Sequence, residues 1–157
     1  MKIVPITNAV FDVIEHEWLI RAEACHRQLR PHLAAEYVRR MKEVFASGGE
    51  MAVAVGGEGD EGDEGDEGEQ VCGLCVFRMV DRTVNGRELY CDDLVSDESK
   101  RSIGVGHALV AYMEALARER GCHVFTLDSG TQRQQAHKFY FREGLTVTAF
   151  HFVKPLK

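Results

Sequence analysis

The run Tyr90–Gly121, YCDDLVSDESKRSIGVGHALVAYMEALARERG, decides how the rest of the chain is read. It opens on an apolar-acidic segment ending at Ser96, passes through a polar turn, and reaches Arg101, Gly104 and Gly106. Apolar residues then recur at Val105, Leu109, Tyr112, Met113 and Leu116, the spacing of one helical face. Arg118 and Arg120 fall in the last turn, and Gly121 supplies the stop. The stretch therefore predicts strand, glycine-bearing turn, helix. A helix start carries unpaired backbone N–H groups and the positive end of the helix dipole. Glycines there remove the Cβ atoms that would hold a phosphate off, so the turn reads as a phosphate or pyrophosphate site.

The spacing selects among phosphate ligands. A dinucleotide fingerprint needs a third glycine at position 109, which is Leu109, and a nucleoside-triphosphate loop needs a closing Gly-Lys-Ser/Thr that is absent. Arg101–Gly106 instead spells Arg-x-x-Gly-x-Gly after a strand. Further on, Ala136, Phe139, Tyr140, Gly144 and Leu145 spell Ala-x-x-Phe-Tyr-x-x-x-Gly-Leu. In these two ordered matches, separated as a helix–strand–helix arrangement requires, the sequence resembles the Gcn5-related N-acetyltransferases (GNAT).

Length and composition agree with a globular domain. The chain has 157 residues, 45% hydrophobic and 28% charged, and reads as a single domain over 1–157. The net charge of −6 is concentrated in one segment, because eight acidic residues and no basic one lie in Glu58–Glu69. Without those eight, 17 acidic residues face 19 basic ones, a net of +2. That balance gives no support for nucleic-acid binding. No apolar run is long enough for a membrane span, Met1–Pro5 lacks the apolar core of an export signal, and the five cysteines are odd in number. A cytoplasmic protein is expected.

Taken in order, Lys2–Ile6 is β-prone, and Thr7 or Asn8 is placed to cap a helix whose apolar face is Phe11, Ile14, Trp18, Ala22, Cys25 and Leu29. Pro31 interrupts it, and a second helix carries Leu33, Tyr37, Met41, Val44 and Phe45 as far as Gly48. Met51–Val55 is a strand. Residues 56–69, with their Gly-Asp-Glu repeat, cannot bury apolar surface and are expected to be a mobile loop rather than a metal site. Val71–Asp81 and Arg87–Ser96 form a hairpin about Asn85-Gly86. Cys72 and Cys75 spell CxxC, but on a strand residues three apart face opposite ways. After the helix come a strand Cys122–Leu127, a helix capped by Ser129 or Thr131, and a strand Leu145–Val153. The expected class is α/β, a mixed, mostly antiparallel sheet flanked by helices, which is also the acyl-CoA N-acyltransferase (GNAT) fold the resemblance implies.

The resemblance implies acetyl-CoA as co-substrate. It places the pantetheine arm along Leu94, Val95 and Ser96, and the pyrophosphate on the turn formed by Arg101, Ser102, Ile103, Gly104, Val105, Gly106 and His107. Arg133 stands where many members have a CoA-contacting asparagine, and Ser102 where they often have glycine. Tyr140 matches the tyrosine that protonates the departing thiolate, and packing against Phe139 is its other reading. The base that takes the amine proton is open among Asp92, Asp93 and Asp128. Asp92 and Asp93 should point opposite ways on a strand, and Asp128 reads equally as a turn residue. No metal is expected. The implied function is acetyl transfer to a primary amine of a small molecule, by direct attack in a ternary complex. The alternatives are acetylation of a protein lysine or N-terminus, and a non-catalytic acyl-CoA sensor. The acceptor is expected to be set by the first two helices, where His16, His26 and His32 read as readily as surface residues as ligands. Dimers are common in the resembled family, so a homodimer is compatible with it.

Overall fold

Long alternating segments in the middle of the chain build the sheet. The structure, a computed structural model, describes residues 1–57, 68–101 and 104–157. Strands β2 (Glu50–Gly57), β3 (Glu69–Arg82) and β4 (Gly86–Ser96) form an antiparallel meander, with β1 (Lys2–Pro5) antiparallel to β2. Strand β5 (Val124–Leu127) completes the order β1-β2-β3-β4-β5. The His123 N–H donates to the Arg87 carbonyl at 2.8 Å, so β5 starts beside the start of β4 and runs parallel to it. The sheet is mixed and mostly antiparallel, as the sequence indicates. The meander reaches further than expected, since Gly56, Gly57 and Glu69 pair within it. Residues 58–67 of the acidic segment lie outside the described residues.

Two helical layers follow from strand alternation. Met51, Val53, Val55, Leu74, Val76 and Val95 share one buried cluster with residues of α1 (His16–Arg21), α2 (Glu23–Leu29) and α3 (Tyr37–Ala46). Gly73 and Phe77 alternate with Leu74 and Val76 and so face the other way. There Phe77 packs edge-on against Tyr112 of α4 (Val105–Glu119), and Gly73 lies against Val105 and Leu109. The buried stripe of α4 is Val105, Leu109, Val110, Met113 and Ala117. Gly121, at φ 71°, ends that helix, with the Cys122 N–H returning to the Ala117 carbonyl at 2.8 Å.

Several local expectations give way. The first helix does not begin near Phe11, which has φ 68° and is 40% exposed. Asn8 caps a turn instead, its side-chain oxygen accepting from Val10 and Asp12 N–H at 3.0 Å, while Thr7 accepts from the Met51 N–H. The helix proper is broken at Ala22 into α1 and α2. Leu33 precedes α3, which starts at Tyr37. Neither Ser129 nor Thr131 caps α5 (Gln134–Arg142), whose first flanking residue is Arg133.

Met1–Thr126 forms one compact unit and Leu127–Lys157 a second. The second contains α5 and a C-terminal segment. The strand expected over Leu145–Val153 does not form: residues 145–157 carry no regular structure, and Phe150 and Phe152 are 81% and 90% exposed. Apolar alternation makes a strand only where a neighbour supplies the ladder, and no strand pairs with this segment. Among the described residues no helix is long and apolar enough to cross a membrane.

Candidate functional site

The end of β4 and the start of α4 create one feature of the larger unit. Leu94, Val95 and Ser96 pair with Cys75, Leu74 and Gly73 on β3. The Asp97 N–H continues that ladder to the Cys72 carbonyl at 2.8 Å. Asp97 then turns the chain, accepting from the Ser99 hydroxyl and N–H, bonds that hold its carboxyl below the usual range. Gln28 of α2 bonds both the Asp97 carboxylate and the Glu98 N–H, at 2.8 and 2.9 Å. Arg101 is exposed, 3.4 Å from Glu98. Gly104 enters α4 with φ 86°, a conformation that glycine adopts without strain. Gly104 itself offers no side chain to cap α4, and among the described residues nothing lies within 4 Å of a Cβ placed on it. The first-turn N–H groups that follow Gly104 lie at the positive end of the helix dipole, which fits an oxyanion. Ser102 and Ile103 lie outside the described residues.

A second feature, a cavity of about 360 Å³, adjoins the middle of β4. A β-bulge creates it. Val76 pairs with Asp93 and Phe77 with Cys91, so Asp92 is an extra residue on β4. The expectation that Asp92 and Asp93 face opposite ways is therefore wrong, because the extra residue breaks the alternation and both line this cavity. Arg78 donates to Asp92 Oδ2 through Nε and Nη2, at 2.8 and 2.6 Å. Asp93 Oδ1 accepts from Arg30 Nε at 2.7 Å, and Asp93 Oδ2 lies 2.9 Å from His26 Nε2. Burial would raise the Asp93 carboxyl, but the His26 and Arg30 bonds outweigh it and hold the group below the usual carboxylate range. His26 is 1% exposed, and its Nδ1 lies 3.0 Å from the Tyr37 hydroxyl, which burial pushes far up. His26 is thus a buried bridge rather than a surface residue, whereas His16 and His32 are exposed.

The smaller unit carries the other sequence-predicted residues. Tyr140 sits in the last turn of α5, half-buried, with its ring edge-on to Phe139 at 5.5 Å between centroids. Asp128 lies 3.0 Å from His151 Nδ1. Arg133 is exposed at the start of α5. The Cys72 thiol lies 3.5 Å from the Gln70 carbonyl, at a register shift that leaves Cys72 the extra residue on β3, and Cys75 is fully buried.

Sequence reasoning left His26 open between ligand and surface residue, and missed Gln28 on α2, Arg30 just past its end and Arg78 on β3. Arg30 caps the end of α2, outside the helical period, and its side chain meets that of His26 at Asp93. Arg78 was visible as the one basic residue within the apolar run Val71–Val80.

The family described as "Acetyltransferase (GNAT) family" matches residues 36–144, which span β2–β5 and α3–α5. The uncharacterized N-acetyltransferase YhdJ of Bacillus subtilis (strain 168) is 39% identical over 72 residues, 45% of this chain and 51% of the relative. The aminoalkylphosphonate N-acetyltransferase of Salmonella typhimurium (strain LT2) is 36% identical over 64 residues, 41% of this chain and 42% of the relative. The chain thus spans about half the length of the curated relatives it matches. Among solved structures, that of AAC(6')-Iy in complex with the bisubstrate analog CoA-S-monomethyl-acetylneamine superposes with a TM-score of 0.75 at 15% identity, covering 99% of this chain and 97% of that one. A match across more than two thirds of the sequence, with the fold to accompany it, means that the chain belongs to the GNAT acetyltransferase family.

Proposed function

We propose that the protein transfers the acetyl group of acetyl-CoA to the primary amine of a small molecule, by direct attack of the amine within a ternary complex. The observation that carries the reading is the start of α4 entered through the left-handed Gly104, one turn of chain beyond the end of β4. A pyrophosphate on the first-turn N–H groups leaves the pantetheine arm to run along Leu94–Ser96. β5 has four residues against the eleven of β4 and starts beside Arg87, so Leu94–Ser96 lies past the part of β4 that it pairs. A backbone N–H near Val95 then polarises the thioester carbonyl and stabilises the oxyanion that forms on attack.

The amine nitrogen bonds to the thioester carbon, the C–S bond breaks, and the thiolate leaves with a proton from Tyr140, a phenol that holds its proton at neutral pH. The amine gives its own proton to a base. Asp128 is assigned that role, since a histidine accompanies it, whereas Asp92 is clamped by the Arg78 guanidinium. Asp92 is assigned to the acceptor side of the site. The bisubstrate ligand named for AAC(6')-Iy and the aminoalkylphosphonate named for the Salmonella relative both favour a small amine over a protein acceptor.

The test is thiol release from acetyl-CoA with a panel of small amines and lysine peptides, beside calorimetry of CoA. Turnover with small amines is expected. Gly104→Asp places a carboxylate where the pyrophosphate should lie, and it should abolish measurable CoA binding. Gly104→Ala carries the same left-handed strain without the charge and should lose far less. Unchanged CoA affinity in a folded Gly104→Asp variant would remove the assignment of this turn.

A further inference from the structure

The cavity beside β4 has an uneven charge. Arg30, Arg40 and Arg78 line it together with Asp92 and Asp93, three guanidinium groups against two carboxylates. Both carboxylates are already held. Asp93 uses Oδ2 toward His26 and Oδ1 toward Arg30, and Asp92 is gripped twice by Arg78. Arg40 belongs to neither pair. Its counter-ion is Glu43, at 3.1 Å, which is half-exposed, lines no part of the cavity and is shared with Arg39 at 2.9 Å. An exposed, shared ion pair offsets little of a guanidinium's charge. A second cavity of about 360 Å³ is bordered by the same Arg30, Leu33 and Arg40, so Arg40 stands at the junction of the two. The floor of the first is apolar, formed by Leu33, Met41, Val44 and Val76.

We propose that this cavity receives the acceptor and selects a small primary amine that also carries an oxyanion, a carboxylate or a phosphonate, in preference to neutral amines and polyamines. The amine part rests on the acetyltransferase reading above; the charge preference rests on the cavity walls. A guanidinium offers a planar fork of donors that matches a carboxylate or phosphonate, and Arg40, with Arg30 beside it, offers that fork where the cavities meet. A polyamine finds no uncommitted carboxylate here and meets three cations. Nearby cations also disfavour the ammonium form, so they favour the neutral amine that attack requires. The position agrees. Asp93 pairs with Val76 and Val95 with Leu74, so both lie on the same face of β4 two residues apart, and the cavity adjoins the segment assigned to the acyl arm.

The experiment uses the full chain and four acceptors of matched length: 3-aminopropylphosphonate, 4-aminobutyrate, n-butylamine and 1,4-diaminobutane. kcat/KM is read by thiol release, and binding of each amine is read by calorimetry. The two anionic amines should exceed butylamine by about tenfold or more, the worth of one charge-assisted bidentate contact, with the diamine poorest. The two anionic arms show which oxyanion is preferred. Arg40→Ala, at a half-exposed helix position, should bring the anionic-to-neutral ratio down about tenfold, and Arg40→Lys should keep part of it. Butylamine or diaminobutane matching the anionic amines, or a ratio untouched by Arg40→Ala, overturns the proposal. If none of the four is acetylated, the acetyltransferase reading fails instead. The calorimetric order then decides the charge preference alone, and no tighter binding of the anionic amines would refute it.

Discussion

Gly73 leaves room for a hydrogen atom and nothing larger. A Cβ there would stand 2.6 Å from Val105 Cγ1 and 2.7 Å from the Val95 carbonyl oxygen, so α4 rests directly on the β3 backbone. That contact sets where the helix start lies relative to Leu94–Ser96. Gly73→Ala should cost about 1–3 kcal/mol, as overpacking does, and should weaken CoA binding by shifting the first turn of α4. A thermal melt and calorimetry on the same variant check both, and a fully stable variant with parental affinity would show that α4 yields without consequence. Tyr140 belongs to the same scale. If its hydroxyl protonates the leaving thiolate, Tyr140→Phe should retain CoA affinity and the fold but lower kcat by about 10²-fold. Parental turnover would leave Tyr140 as a packing partner of Phe139.

At the scale of elements, single residues join layers that the periodicities leave independent. The last turn of α4 is tied to β2 by Arg120, which donates to both oxygens of Glu50 at 2.5 and 2.9 Å. Glu50 is 3% exposed and Arg120 still reaches water. Glu50→Gln removes the charge that raises the guanidinium's proton affinity and leaves a half-buried cation short of a partner. Breaking a buried pair costs about 3–5 kcal/mol, and the partial exposure of Arg120 brings the expectation down to about 2–3. In a chain of this size that is a fall in Tm of about 5–10 °C. A change of a degree or less would class the pair with surface ion pairs. Glu88 plays a similar part in the hairpin, where Arg82 and Asn85 both reach its buried carboxylate.

For the larger unit taken whole, the link from α2 to β4 runs through Asp93 and predicts an acid response. A carboxyl held below its unfolded value of about 3.9 contributes stability that is complete above that pH and is lost as the pH falls toward its folded value. Protonating Asp93 weakens the His26 and Arg30 bonds and separates α2 from the sheet. The Tm should therefore hold steady from neutral pH to about 4 and fall below it. Asp93→Asn should lower the Tm at neutral pH and flatten the fall in acid. Equal acid slopes in the two proteins would assign the loss to other carboxylates.

The order of elements from β2 to α5, the face of α4 and the helix start at Gly104 were legible in the sequence, because each is a local matter of periodicity and glycine stereochemistry. So were the family's motifs, which are short and contiguous. What the chain does at positions 8–15 was not, since Asn8 caps a turn only because Ile6 and Thr7 are already docked on Met51. The strand expected at the C-terminus failed for the complementary reason: its pattern was present but its ladder partner was not. The acceptor cavity was decided by tertiary structure alone. One extra residue on β4 turned Asp92 to the same side as Asp93, and the sheet then set both against His26, Arg30 and Arg78, from segments 14 to 67 residues away. Register shifts and long-range ion pairs leave no period in a sequence, and the charge of that cavity appears only once the chain has folded.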